Sequence, residues 1–229
     1  MSTATTTKLS KKTLEILKNF ASINSNILVN PGNVITTISP VKNVLSEATI
    51  DETFDVQFGI WDLNKFLGTV SLFSDPEFEF HEKYVVISNT NGSSVRYFYC
   101  EPKLLTTPTK KIQMPTSVVS FKLTHKIFSE LQKAASVLQL SDIAVRSNDG
   151  RMELVALDKA DTTSNNYSVD LGELATDADF EFYFKVENLK ILPGDYKVEI
   201  TEKIVSKFTH DNMDLSYWIA LEPDSSYKA

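Results

Sequence analysis

Cysteine and histidine are almost missing from this sequence: one cysteine, Cys100, and three scattered histidines, His81, His125 and His210, occur in 229 residues. A single thiol excludes an intramolecular disulfide, and no spacing of these four residues assembles a zinc-ligand cluster, so neither metal nor cofactor is expected. Cys100 reads as a buried or half-buried apolar residue and the histidines as surface or capping residues. No apolar run approaches the ~20 residues of a spanning helix, and the Ser/Thr-rich residues 1–8 hold no apolar stretch of the kind a secretory leader carries. A cytosolic protein without membrane partners is expected. Positive charge is also short, 23 Lys and Arg against 30 Asp and Glu, for a formal net charge of −7. That balance excludes a protein whose whole surface grips nucleic acid, because phosphate neutralisation needs clustered cations. It leaves room for a local basic face, since steering depends on where charges sit.

At 42% hydrophobic, the chain can bury one large core or two cores of about 110 residues each. Self-similarity favours two. In the first half, Ser10 can cap a helix with Leu14, Leu17, Phe20 and Ala21 on one side and Lys11, Glu15, Lys18 and Ser22 on the other. Asn26 to Val29, the turn Asn30-Pro31-Gly32-Asn33, and Val34 to Ile38 then read as a hairpin. In the second half, Thr124 can cap a helix with Ile127, Phe128, Leu131, Ala135 and Leu138 inward and Lys126, Ser129, Lys133 and Ser136 outward. It is followed by Asp142 to Val145, a turn at Asn148-Asp149-Gly150, and a strand from Met152 to Leu157. A second match needs no gap: residues 54–68 lie over 180–194. Phe54 falls on Phe180, Phe58 on Phe184, Ile60 on Val186, Leu63 on Leu189 and Gly68 on Gly194. Each copy predicts an alternating strand, then a short helix begun at Asp62 or Glu187 and stopped at glycine.

Between the halves, Pro102, Pro108 and Pro115 and the loss of periodicity mark a connector. The expected organisation is residues 1–103, a connector over 104–117, and residues 118–229. The connector's Leu104, Leu105, Ile112 and Met114 are odd for a solvated linker and predict that it lies against the protein body. Two tandem domains, each with two helices and a strand-rich remainder, define an α+β class in which each antiparallel sheet is covered on one face by a helix pair.

Enzymatic chemistry finds little support. Asp51-Glu52 and Asp177 with Asp179 are acidic pairs, but each precedes a Phe-rich strand, where turn acids are expected, and no Gly-rich phosphate loop accompanies them. The period-2 aromatics Phe54, Phe58, Phe180, Phe182 and Phe184 read as a core sheet face and not as a base-stacking platform.

A set of ordered motifs, Lys8-Leu9-Ser10, Leu17-Lys18-Asn19-Phe20-Ala21, Asp55-Val56, Asp62-Leu63-Asn64 with Phe66-Leu67-Gly68, Pro193-Gly194-Asp195-Tyr196-Lys197, and Ala220-Leu221-Glu222 with Asp224-Ser225, resembles the DNA polymerase sliding clamps of T4-like bacteriophages. The likeness spans both halves and is thin over 74–101 and 161–179. It implies the clamp fold shared with proliferating cell nuclear antigen: three two-domain subunits closed head to tail, helices lining the hole. It implies no catalysis of its own. The partners implied are double-stranded DNA, held topologically and without sequence readout, the replicative DNA polymerase, an ATP-dependent clamp loader, and two further copies of the chain, in the cytoplasm of an infected bacterium.

If the helices line a hole around a duplex, Lys8, Lys11, Lys12 and Lys18 with Lys122, Lys126 and Lys133 are the expected DNA-facing groups, joined by Lys65 and Lys190 from the short helices. Lysine, a hydrated point charge on a flexible stem, attracts phosphate without fixing register. Leu104, Leu105, Ile112, Met114, Leu221 and Pro223 are the candidates for the apolar pocket in which clamps hold a polymerase peptide. Two other classes stand beside this reading: a tandem-domain phage structural or assembly protein that encircles nothing, and a nuclease built on the acidic pairs.

Overall fold

The computed structural model describes residues 6–109, 112–161, 163–174, 177–202 and 205–229. Contacts group the chain into two units, Met1–Lys111 with Met213–Ser216, and Ile112–Asn212 with Tyr217–Ala229.

The first unit runs β1 (Thr6–Thr7), α1 (Lys11–Ile23), β2 (Ile27–Val29), β3 (Gly32–Ile38), β4 (Val44–Phe54), β5 (Phe58–Ile60), α2 (Leu63–Val70), β6 (Glu77–Phe80), β7 (Tyr84–Ser88) and β8 (Ser94–Phe98). Helix α1 starts where the cap residue dictates: the Ser10 hydroxyl accepts the Thr13 N–H at 3.1 Å, satisfying a donor that has no partner inside the helix. Its stripe of Thr13, Ile16, Leu17, Phe20, Ala21 and Ile23 is buried, and it packs on β3, β4 and α2. Burying a side chain such as Phe20, 0% exposed, is worth about 1.5–3 kcal/mol, more than the helix gains from propensity alone. Asp62 caps α2 in the same way, accepting the Lys65 N–H at 2.9 Å. The strands β1, β6, β7 and β8 form one antiparallel sheet in that order.

The predicted hairpin across residues 26–38 does not form. β2 pairs instead with β5, Ile27 opposite Ile60 and Val29 opposite Phe58, while β3 pairs with β4. Pro31, which cannot donate to a ladder, turns the chain from one pairing to the other. Nor does Gly68 stop α2, which continues to Val70.

The second unit runs β9 (Ser117–Leu123), α3 (His125–Leu138), β10 (Asp142–Asn148), β11 (Arg151–Leu157), β12 (Tyr167–Glu173), β13 (Asp179–Lys185), β14 (Tyr196–Thr201), β15 (Val205–His210), β16 (Leu215–Ala220) and β17 (Ser226–Lys228). The Thr124 hydroxyl accepts the Ile127 N–H at 3.3 Å to open α3, whose buried Phe128, Leu131 and Ala135 face inward and which lies on β11 and β12. β10 and β11 form the predicted hairpin, with Asp149 and Gly150 at φ 47° and 75°, the paired left-handed residues that a tight two-residue turn requires. One sheet holds β12, β11, β10, β13 and β17 in that order, and β16, β15, β14 and β9 lie side by side in a second.

A second α-helix is absent from this unit among the described residues. The segment matching α2 makes only a 3₁₀ turn over Val186–Asn188. Pro193 is the reason: inside a helix begun at Leu189 it would remove a hydrogen bond and clash one turn back. Buried tyrosines hold the segment instead. The Leu192 N–H donates to the Tyr217 hydroxyl at 3.1 Å, and the Tyr196 hydroxyl donates to the Leu192 carbonyl at 2.6 Å.

The strand aromatics Phe54, Phe58, Phe180, Phe182 and Phe184 all lie in the two cores, between 2% and 6% exposed. His210 is also interior, 6% exposed, its Nδ1 accepting the Asn212 N–H at 3.0 Å and its ring edge-on to Tyr196, so it caps a turn from within the core and not from the surface.

Candidate nucleic-acid interface

Helices α1, α2 and α3 carry six lysines against two acids, Glu15 and Glu130, in a chain of net charge −7. On α1 the exposed face reads Lys11, Glu15, Lys18, Ser22; on α3 it reads Lys126, Glu130, Lys133, Val137. The two faces share one spacing, Lys, then Glu four on, then Lys three on, which puts all three groups on one stripe with the lysines about 10 Å apart along the axis. Lys65 is exposed on α2.

The nine lysines expected to face DNA separate into two groups. Lys11, Lys18, Lys65, Lys126 and Lys133 are exposed on helices and make no ion pair among the described residues. The others differ. Lys8 precedes α1, is hydrogen-bonded to Asp75 and lies 3.8 Å from Glu77; the Asp75 bond holds its ammonium above the usual lysine value. Lys12 lies 3.2 Å from Asp51. Lys122 is on strand β9 and not on a helix, 2.9 Å from Asp211 and 3.5 Å from Asp195, and the Asp211 bond raises its ammonium in the same way. Asp195 itself is held below the usual carboxylate range, first by the His125 N–H at 2.8 Å that it accepts and then by Lys122. Lys190 is exposed but lies beyond the 3₁₀ turn, so the expected short-helix position is lost. An ammonium with a carboxylate beside it has little field left for phosphate. Lys11, Lys18, Lys65, Lys126 and Lys133, all on helices, have no such carboxylate among the described residues.

The acidic pairs resolve into structural roles. Glu52 is buried and accepts from the Ser10 N–H and, at 2.5 Å, from the Thr13 hydroxyl, so it anchors the start of α1. Replacing Glu52 by alanine leaves both donors without an acceptor and is expected to cost about 1–3 kcal/mol in denaturant unfolding. An unchanged midpoint would show that the helix start does not depend on it. Asp177 and Asp179 line an open cleft of about 340 Å³ with Asp149 and Asn148, yet no group of three His, Cys, Asp or Glu placed to hold a metal occurs among the described residues. Cys100 is half-buried, and burial pushes its thiol up, away from the reactive thiolate.

The apolar candidates also separate. Leu104 ends a 3₁₀ turn and is 58% exposed, while Leu105 is half-buried in the first unit. In the second unit Ile112 is 38% exposed, Met114 is half-buried and Pro223 is exposed. Leu221 is 5% exposed, so its side chain belongs to the core and offers a partner nothing. Phe98, 66% exposed at the end of β8, is a large apolar group outside the sequence-based candidates; the alternation of the strand turns it outward with Ser94 and Arg96.

Units of paired antiparallel sheets with helices on them have the DNA clamp fold, as solved clamp structures show. Proliferating cellular nuclear antigen from Entamoeba histolytica superposes with a TM-score of 0.68 at 11% identity, over 96% of this chain and 99% of that one. The Helicobacter pylori beta clamp solved with a DNA ligase peptide gives 0.70 at 13% identity, over 95% of this chain and 65% of that one. Residues 8–96 match the family model of the DNA polymerase processivity factor and residues 120–223 that of the gp45 sliding clamp, C terminal. The sliding clamps of Vibrio phage KVP40 and Escherichia phage RB69 are each 34% identical, over 94% and 96% of this chain and 99% of theirs, and that of Enterobacteria phage T4 is 30% identical. The chain belongs to this family of phage sliding clamps, the processivity factors of DNA replication.

Proposed function

We propose that three copies close head to tail into a ring around duplex DNA, that each unit turns its helix face to the phosphates, and that the ring tethers the replicative polymerase without catalysing a step of its own. The observation that supports this is the contrast among the lysines: Lys8, Lys12 and Lys122 sit against carboxylates, whereas every helical lysine except Lys12 is left without one among the described residues. Lysines that neither pair nor read base edges suit a surface that must hold a duplex and still move along it. Acids elsewhere keep the rest of the surface from binding nucleic acid.

Closure needs two uncovered strand edges on each copy, one to meet the copy before it and one the copy after it. The longer edges of the two sheets built wholly within one unit are β8 and β12, each hydrogen-bonded to a single neighbour among the described residues. β8 of one copy against β12 of the next would make such a contact, and a head-to-tail contact closes when its rotation allows. An ATP-dependent loader would open the ring onto DNA in the infected bacterium. The polymerase would dock by an apolar peptide segment at Leu104 and Leu105 of the first unit; Ile112, Met114 and Pro223 are the candidates that the second unit offers on its own surface. Solved clamps bound to a DNA ligase peptide and to the C-terminal region of FEN-1 support peptide docking as the mode.

Sedimentation velocity over a concentration series tests the ring. The expected species has three times the chain mass and the friction of a flat annulus. A monomer at every concentration, with loader and DNA present as well as absent, overturns the ring and leaves a tandem-domain assembly protein as the reading to pursue.

A further inference from the structure

Two buried asparagines, Asn24 and Asn26, are 2% and 9% exposed in the first unit. A buried amide is tolerated when its polar atoms are bonded, and these are bonded to the backbone of a distant segment. Asn24, the residue that caps the end of α1, donates its Nδ2 to the Ile38 carbonyl at 2.8 Å and to the Thr106 carbonyl at 3.2 Å, while its Oδ1 accepts the Asn26 N–H at 3.1 Å. Asn26 Oδ1 accepts the Thr106 N–H at 3.1 Å. Both backbone polar groups of Thr106 are thus held by side chains 80 and 82 positions earlier.

The other end of the segment is fixed as well. The Cys100 N–H donates to the Gly59 carbonyl at 3.0 Å, and a Cβ at position 59 would stand 2.7 Å from Leu105 Cδ1 and 2.9 Å from the Cys100 carbonyl oxygen. Glycine is what lets the segment lie directly on β5. Between the two anchors, the Leu104 N–H donates to the Glu101 carbonyl at 3.0 Å and the Leu105 N–H to the Pro102 carbonyl at 3.1 Å, a closed 3₁₀ turn with Leu104 turned out to solvent.

We propose that Asn24 and Asn26 are positioning residues for partner capture: they strap Thr106 to the unit and so fix Leu104 and Leu105 in the conformation that an apolar polymerase peptide meets. The proposal rests on the docking reading given above. A segment pinned at both ends has lost its conformational freedom before the partner arrives, so the partner does not have to order it. If the strap opens, the peptide meets a competent surface only for the fraction of time that it is closed, and apparent affinity falls by that fraction.

The test uses the full-length clamp, amide exchange at Thr106, and a fluorescent peptide carrying the C-terminal segment of the replicative DNA polymerase from the same phage. Asn26→Ala is expected to speed Thr106 exchange and to weaken the peptide about tenfold, with the sedimenting mass unchanged. Asn26→Asp, which keeps the acceptor, restores both. Should Asn26→Ala fail to fold, Thr106→Pro deletes the bonded N–H from the other side and carries the same expectation for the peptide. A Thr106 amide already unprotected in the wild type overturns the strap. So does fast exchange in Asn26→Ala with unchanged peptide affinity, when Leu104→Ser weakens the peptide. If Leu104→Ser has no effect, it is the docking reading that fails, and the strap's role in capture falls with it.

Discussion

Replacing Lys11, Lys18, Lys126 and Lys133 together by alanine is expected to leave the fold and the assembled mass intact while cutting loader-assisted DNA occupancy at physiological salt by an order of magnitude or more. All four side chains are exposed and none is in an ion pair among the described residues, so their removal leaves the packing of the fold untouched. Exposed substitutions of this kind usually stay within about 0.5 kcal/mol each. Their effect on DNA is of another size. Each phosphate neutralised adds about 0.9 to the slope of log affinity against log salt, and three subunits multiply every substitution. The measurement is clamp loading on a nicked circle across a salt series, with thermal unfolding as control. A variant whose salt slope matches the wild type would sink the assignment of these helix faces to DNA. Lys8→Ala, Lys12→Ala and Lys122→Ala are the internal comparison. With a carboxylate already beside each ammonium, these should change the slope far less.

The residue types of the proposed interface were legible in the sequence, and the pairing of each residue was not. Cap residues and a 3.6-residue period are local signals, so α1 and α3 and their lysine faces followed from Ser10, Thr124 and the apolar spacing. Which lysines are free depends on acids far along the chain: Asp75 lies 67 positions from Lys8, and Asp51 lies 39 from Lys12. Glu52 shows the same limit. Its place before a Phe-rich strand identified it as an unremarkable acid, but its task at the start of α1 is set by Ser10, 42 positions away.

Strand pairing divides along the same line. The β10–β11 hairpin was readable because its turn carries its own chemistry at Asp149 and Gly150. The three-residue β2 was misassigned because its partner β5 lies 31 residues downstream and only the fold brings them together. The second short helix failed for a reason present in the sequence, Pro193, which the match of 180–194 to 54–68 outweighed. Repeat matching carries over topology better than it carries over a local backbone state, because one proline can veto a helix without disturbing the sheet around it.

Phe98→Asp is expected to turn the assembled ring into smaller species. On β8 the exposed positions are Ser94, Arg96 and Phe98, and the Phe98 ring, 66% exposed, meets Tyr84 edge-on with centroids 5.7 Å apart. An uncovered strand edge ending in an exposed aromatic is a surface that soluble proteins normally cover. Covering the ring in a subunit contact is worth about 1.5–3 kcal/mol, and an aspartate there forfeits that and adds the cost of burying a charge. A loss of about 3 kcal/mol is more than a hundredfold in the dissociation constant of each contact. Val169→Asp, at a half-buried position of β12, should act likewise on that strand's edge. Head-to-tail geometry makes a sharper demand than either variant alone, since each keeps one good edge: Phe98→Asp its β12 and Val169→Asp its β8. Mixed in equal amounts, they should form a heterodimer that cannot grow, because the two remaining edges both carry the aspartate. A contact formed by the same edge on both partners gives the opposite result, with one variant still able to dimerise by itself and the mixture adding nothing. If Phe98→Asp sediments with the full mass of the wild type, β8 is not the contact edge, and the ring must close elsewhere on the surface.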